Sequence, residues 1–258
     1  MPMADRDPLV AELAALATAA PEGLLERIAA RGVRIPGPIG DLYVASTDRG
    51  IAYVQAAEAV GDSAAGFAEA FRARFARPLL AVDRPPLGLL PALRTGRATD
   101  LRFDLRGATA FEEAVLRATL AIPRGEVRPY GWVAAQIGRP GAVRAVGSAL
   151  GRNPVPVLIP CHRVVRADGV IGEYLFGRSA KRRLLEAEGA NVDEVGDLAR
   201  RGVRLVGSDT TGVVCLPACA HARRITGAYR RGFHTVEEAV AAGYRPCRHC
   251  RPVWAGEG

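Results

Sequence analysis

Five cysteines stand at positions 161, 215, 219, 247 and 250, one alone and four in a cluster. An odd count in this arrangement argues against a disulfide framework and for a metal site plus one special thiol. The lone Cys161 follows Pro160 and precedes His162 and Arg163. A thiol with an ordinary pKa of ~8.5 is mostly protonated at neutral pH, so a nucleophilic one needs a base or a positive field beside it. His162 and Arg163 offer both. Neighbouring side chains on a strand point to opposite faces, so His162 reaches the sulfur only if the chain turns there or a water intervenes. Pro160 fixes φ and lacks an amide donor, which favours such a departure. A cysteine behind an apolar run, here residues 155–159, is otherwise an ordinary packing residue.

The other four read as Cys215-x3-Cys219 and Cys247-x2-Cys250, with 27 residues between the pairs. Two close pairs of this kind place four thiolates around one tetrahedral Zn2+. Four sulfurs need no help, so His221 and His249 read as free histidines.

The elements that must position these groups fall into successive segments. Leu9, Leu13 and Leu16, then Leu24, Leu25 and Ile28, recur at helical spacing and are interrupted by Pro21; they predict a helical extension over residues 1–32. Residues 41–54 read as two strands around an Asp48-Arg49-Gly50 turn. With a helix over 64–75 and a strand over 101–104, they make an α/β subdomain spanning 33–103. Residues 104–190 predict a helical domain, with helices over 111–122, 131–137, 142–150 and 180–188 punctuated by glycine and proline. On the third of these, Val143, Val146 and Leu150 share one face. The pair 131–137 and 142–150 outlines a helix-turn-helix. Residues 190–200 read as a linker into a cysteine-bearing domain over 196–254.

Composition bounds the partners. The chain has 258 residues, 49% hydrophobic and 24% charged, as in ordinary globular proteins. No apolar run approaches the ~18 residues that span a bilayer, and the acidic N-terminus carries no secretory signal pattern. We therefore expect a cytoplasmic protein with no membrane partner. The net charge of +8 is uneven: residues 1–100 hold 11 Arg against 12 acids, residues 101–194 hold 14 Lys and Arg against 10, and residues 195–258 hold 10 Arg against 5. A basic excess confined to the later segments suits a polyanion such as nucleic acid. A bias toward arginine is also visible, since Lys181 is the only lysine.

One stretch resembles a known family closely. Ile122-Pro-Arg-Gly-Glu-Val-Arg-Pro-Tyr-Gly131, Ala142-Val-Arg-Ala-Val-Gly147, Asn153-Pro-Val-Pro-Val-Leu-Ile-Pro-Cys-His-Arg-Val-Val165 and Gly172-Glu-Tyr174 occur in the order found in the O6-alkylguanine-DNA alkyltransferases. The resemblance covers about residues 101–190 and is looser over 33–100. It implies an RNase H-like α/β subdomain followed by a helical alkyltransferase domain, and a partner that is double-stranded DNA carrying O6-alkylguanine, bound by a monomer. The damaged base would be flipped into a pocket. By the resemblance, Arg144 is the finger that fills the vacated space, and Tyr130 pushes on the neighbouring phosphate. Ala145, Gly147, Ser148 and Ala149 let their helix lie close to DNA, and Arg163 joins the DNA contacts. Cys161 is the alkyl acceptor, His162 its base through a water, and Glu188 the acid that orients His162. Tyr174 donates to O6 and Asn153 braces the active-site turn. A thioether does not hydrolyse readily, so each molecule would act once. Glu173 departs from the pattern with a carboxylate beside the pocket.

A second resemblance covers Thr210-Thr-Gly-Val-Val-Cys-Leu-Pro-Ala-Cys219 and Ala239-Val-Ala-Ala-Gly-Tyr-Arg-Pro-Cys-Arg-His-Cys-Arg-Pro252, which are similar to the zinc-binding domain of the Ada proteins. It implies one Zn2+ on Cys215, Cys219, Cys247 and Cys250, either purely structural or with Cys215 as a second methyl acceptor. Two rival classes stay open at this point: a methylation-sensing regulator, and a non-catalytic protein that recognises alkyl lesions.

Overall fold

The computed structural model describes residues 28–168 and 170–252. The expected N-terminal helical extension lies outside the described residues up to position 27. Its last residues enter a strand, β1 (Ala30–Ile35), so the sheet begins before the expected boundary at 33. β2 (Leu42–Thr47) and β3 (Gly50–Ala56) form the expected antiparallel hairpin. Helix α1 (Ala64–Phe75) starts where the Ser63 hydroxyl accepts the Gly66 N–H. β4 (Leu79–Ala81) then returns parallel to β1, giving the order β3-β2-β1-β4, and α2 (Leu89–Thr95) follows.

Both faces of this sheet are covered. Tyr43, Ala45 and Tyr53 pack on Phe67 and Phe71 of α1, while Leu42, Val44 and Ile51 belong to the main core. Burial on both sides makes residues 42–45 of β2 a continuous apolar run rather than an alternating one. The strand expected over 101–104 reduces to one bridge between Phe103 and Ile51. The approach is close because residue 50 has no side chain: at φ 137°, a Cβ on Gly50 would lie 2.2 Å from the Arg102 carbonyl oxygen. Pairing stops where the Asp104 carboxylate takes hydrogen bonds from the Thr47 hydroxyl at 2.6 Å and the Arg106 amide at 3.3 Å.

The helical domain opens with α3 (Ala110–Leu120), held by a capping box in which Thr109 and Glu112 satisfy each other's backbone N–H groups. β5 (Arg128–Pro129) leads directly into α4 (Tyr130–Gln136), and α5 (Val143–Gly151) follows after a turn. β6 (Val164–Val165) pairs in parallel with β5, and α6 (Gly177–Ala187) closes the domain. On α5 the buried face is Val146, Ala149 and Leu150, whereas Val143 is exposed. Val146 and Leu150 of the expected face are thus in the core, with Ala149 in place of Val143.

Residues 190–200 are not a linker. They form α7 (Val192–Arg200), capped by Asn191, whose side chain accepts the Glu194 N–H, and they bury Val192 and Leu198. The last domain is a four-stranded sheet of β7 (Leu205–Ser208), β8 (Val213–Cys215), β9 (Arg230–Phe233) and β10 (Arg245–Pro246), in the order β10-β8-β7-β9. Helix α8 (Val236–Ala241) precedes β10. This sheet shares one apolar core with the helical domain, joining Trp132 and Val133 to Leu216, Cys219 and Cys250. No described helix is long and apolar enough to cross a membrane.

Candidate active site

The chain turns at the lone thiol, as Pro160 suggested. Pro160 has ψ 61°, and Cys161–Arg163 is a single 3-10 turn that ends at β6. The preceding residues 153–159 loop back so that Asn153 Nδ2 donates to Ile159 O at 3.0 Å and to Cys161 Sγ at 3.1 Å. Asn153 Oδ1 accepts the Val155 N–H at 3.0 Å. Within this loop Val157 takes φ 71°, a strained place for a β-branched residue that persists only where its surroundings over-determine it.

The turn sends His162 and Arg163 to one carboxylate. His162 Nε2 lies 3.0 Å from Glu188 Oε1, Arg163 Nε donates to Glu188 Oε2 at 2.9 Å, and Arg163 Nη2 donates to Oε1 at 2.8 Å. Burial opposes ionisation of Glu188, but hydrogen bonds from His162 and Arg163 outweigh it and hold its pKa at about 2. Burial also pulls His162 below its usual value, against the pull of Glu188. At neutral pH the trio is therefore neutral imidazole, guanidinium and carboxylate. With Nε2–H donating to Glu188, His162 Nδ1 carries the free lone pair.

Beside the thiol, His162 Nδ1 has no hydrogen-bond partner among the described residues, and Tyr174 Oη lies at the Val157 backbone. The two rings meet edge to face at 6.1 Å. Burial, then the nearby Cys161 sulfur, push the Tyr174 phenol well above its usual value, so it stays a hydrogen-bond donor. Unpaired polar atoms in a dry site cost about 1–3 kcal/mol each, and a ligand oxygen or water that pairs with them recovers that cost. Cys161 is itself 5% exposed, and burial raises its pKa while the Asn153 amide and the Lys181 ammonium lower it. Lys181 was not singled out by sequence. It is fully buried, donates to Val164 O at 2.6 Å, and desolvation brings its pKa to about 8. Its only sequence signal is that it is the sole lysine.

Cys215, Cys219, Cys247 and Cys250 converge, with all four sulfurs within 4.8 Å of one another and all four buried. Leu216 N–H donates to Cys250 Sγ at 3.3 Å. Four desolvated thiolates at this spacing repel one another unless a dication sits among them, and an all-sulfur tetrahedral set suits Zn2+. His221 and His249 are not free. Their rings stack at 5.2 Å, His249 Nε2 lies 2.9 Å from Glu126 Oε1, and His221 Nδ1 lies 3.7 Å from Cys247 Sγ. A cavity of about 490 Å³ opens beside the cluster, lined by Cys215, His221, Arg224, Thr226, Tyr229 and Arg245.

Residues 110–190 match the family described as "6-O-methylguanine DNA methyltransferase, DNA binding domain", and residues 196–253 match the "metal binding domain of Ada". A crystal structure of Mycobacterium tuberculosis OGT in complex with DNA is 35% identical, with a TM-score of 0.51, and the match covers 62% of this chain and 92% of that one. The chain belongs to the O6-methylguanine methyltransferase family. The methyltransferase from the archaeon Pyrococcus kodakaraensis is 26% identical with a TM-score of 0.51, covering 62% of this chain and 99% of its own. Among sequence relatives, the methylated-DNA–protein-cysteine methyltransferase of Mycobacterium tuberculosis is 53% identical over 89 residues, and that of Salmonella typhimurium 49% over 83. These matches take in 34% and 32% of this chain; the chain spans about half the length of the curated relatives it matches, 53% and 48% respectively.

Along this chain the expected DNA residues divide. Arg144, Ala145 and Ser148 are exposed on α5, Gly147 is half-buried there, and Tyr130 is half-buried at the start of α4. Ala149 faces the core. Arg163 is a correction: it is 3% exposed, and besides Glu188 it donates to Ile122 O at 2.6 Å and Gly96 O at 2.7 Å. All of its reach is spent inside the protein, so no phosphate can use it. Glu173 is exposed and pairs with Arg178 at 2.5 Å, which directs its charge along α6.

Proposed function

We propose that the chain repairs double-stranded DNA by moving the alkyl group of O6-alkylguanine irreversibly onto Cys161, as a monomer acting once per molecule. The observation that carries this reading is the thiol held by Asn153 beside a neutral imidazole whose Nε2 is committed to Glu188. Arg144, exposed on α5, enters the stack as the base is everted, a displacement that costs a few kcal/mol. Ala145, Gly147 and Ser148 keep that helix thin enough to approach the groove, and Tyr130 supports the turned backbone. His162 Nδ1 takes the thiol proton through a water. Cys161 Sγ then forms a bond to the alkyl carbon while the carbon–O6 bond breaks. The released electron pair stays on the guanine oxygen, which accepts a hydrogen bond from Tyr174 Oη.

A second reading concerns the cysteine domain, and the cavity beside Cys215 favours it. Cys215, Cys219, Cys247 and Cys250 would hold one Zn2+, which would keep Cys215 ionised. The adjoining cavity, with Arg224 and Arg245 on its wall, has the size and charge for a DNA phosphate. Cys215 Sγ would then bond to the methyl carbon of a methyl phosphotriester while the carbon–oxygen bond breaks, its electron pair leaving on the phosphodiester oxygen.

Intact mass spectrometry with peptide mapping tests both. Duplex DNA carrying O6-methylguanine should add one methyl at Cys161, and none in Cys161→Ala. Methyl phosphotriester DNA should add one at Cys215; an unmodified Cys215 leaves zinc with a structural role alone. Absence of a mass gain at Cys161 refutes the main reading.

A further inference from the structure

The cysteine domain grips the alkyltransferase domain at the backbone that carries its working residues. Trp132, on α4 two residues after Tyr130, donates its buried Nε1–H to the carbonyl of the ligand residue Cys250 at 2.8 Å. Glu126, 1% exposed, accepts at one oxygen from both arms of the cluster: the Ala220 N–H next to Cys219 at 3.0 Å, and His249 between Cys247 and Cys250 at 2.9 Å. Its other oxygen pairs with Arg128, also buried, and Arg128 lies over the Trp132 ring at 5.5 Å. On the far side, Arg223 donates to Gly189 O at 3.1 Å, one residue past Glu188.

These contacts fall on three sensitive places. Gly125 holds φ 75° and packs so tightly on Glu188 that a Cβ would lie 2.7 Å from its carbonyl oxygen. Arg128 and Pro129 form β5, which pairs with β6 directly after the Cys161–Arg163 turn. Trp132 belongs to the first helix of the helix-turn-helix. If the cysteine loops come apart, the Glu126 carboxylate and the Trp132 N–H lose their partners in a buried seam. Such groups are costly to leave unpaired, so the segment 125–132 must then move.

We propose that metal loading of the four cysteines positions the DNA-reading helices and the Cys161 turn, with Trp132 and Glu126 as the positioning residues that transmit it. This rests on alkyl transfer to Cys161. The cysteine domain is thereby a support for the repair site, independent of whether Cys215 accepts anything. The seam has discrete hydrogen bonds rather than a soft apolar contact alone, which is what a two-state coupling needs.

The test uses the full chain, zinc-loaded or stripped with a chelator, in wild type and Trp132→Phe, a change that keeps an aromatic ring but removes the donor. Two readouts are taken: the single-turnover transfer rate at saturating O6-methylguanine DNA, and hydrogen exchange of the amides at 128–136 and 161–165. Stripping zinc should slow wild-type transfer about tenfold, within the range of ordinary coupling between sites, and should raise exchange in both segments. Loaded Trp132→Phe should bind zinc normally yet show part of the same loss, and stripping it should cost less than in wild type. Equal rates and equal exchange in loaded and stripped wild type overturn the proposal. So does a loaded Trp132→Phe indistinguishable from wild type. If loaded wild type transfers nothing, the catalytic reading fails, and the exchange data still decide the coupling.

Discussion

Asn153 Nδ2 lies 3.1 Å from Cys161 Sγ and 3.0 Å from Ile159 O, so one amide group ties the nucleophile to the loop that presents it. Asn153→Ala removes both bonds, and with them the acceptor of the buried Val155 N–H, which is left unpaired. We expect a loss of about 1–3 kcal/mol in urea unfolding and a transfer rate at least about tenfold lower, since a donor to a developing thiolate is worth a charge-assisted hydrogen bond. Asn153→Asp keeps the shape but sets a carboxylate against the sulfur and should be slower still. A wild-type rate in either variant would remove Asn153 from the mechanism.

The transfer rate should fall on the acid side through His162. Its pKa lies below the usual histidine value, so the imidazole is a free base at pH 7 and gains its proton only at lower pH. The rate should thus hold from neutrality down to about pH 6.5, then drop as Nδ1 protonates. On the alkaline side, the growing thiolate fraction makes the reaction climb. Lys181 loses its charge near pH 8 and with it the field that favours the thiolate, so the climb should flatten there. Lys181→Met should lower the neutral rate and abolish the flattening. Rapid-quench kinetics from pH 5 to 9 would show both inflections.

Acid stability should depend on Glu188. Its folded pKa of about 2 lies below the ordinary carboxylate value of 4.5, so folding binds fewer protons than unfolding. The sign follows: the contribution is fully present above pH 4.5 and is lost as pH falls from there toward 2. The shift corresponds to ~3 kcal/mol. Glu188→Gln should lower stability at pH 7 and flatten the fall below pH 4.5, measured by urea midpoints at fixed pH steps.

Local chemistry made much of this architecture legible in advance. The Asp48-Arg49-Gly50 turn and the paired cysteines each encode their structure within a few residues. Long-range packing was not legible. β1 interrupts its buried residues with exposed Arg31 and Arg34 out of strict alternation, and β4 has only three residues, two of them exposed. Helix α7 looked like a linker because its content is polar, although Asn191 and Glu194 are a start signal. The Arg163 error has the same origin. An arginine beside a nucleophile in a basic chain suggests phosphate, and only the fold brings Glu188, Gly96 and Ile122 to it across 25, 67 and 41 residues. Glu126 and Trp132 carried no local signal of their partners Ala220, His249 and Cys250, which lie in another domain.

Arg163 and Arg144 should therefore behave as opposites. Arg163 fills a buried four-bond socket, and lysine cannot reproduce its planar fork. Arg163→Lys should cost about 3 kcal/mol or more in stability, as breaking a buried ion pair usually does. Because no phosphate contact is lost, the salt dependence of its DNA affinity should stay that of wild type. Arg144 is exposed on α5 without an ion-pair partner among the described residues, so Arg144→Ala should leave stability within about 0.5 kcal/mol. Without a side chain to hold the gap, however, base eversion becomes unfavourable. Transfer from duplex DNA should slow by about tenfold or more, while transfer from the free base O6-methylguanine, which needs no eversion, should be unchanged. Equal losses on duplex and free base would mean that Arg144 shapes the pocket and does not enter the stack.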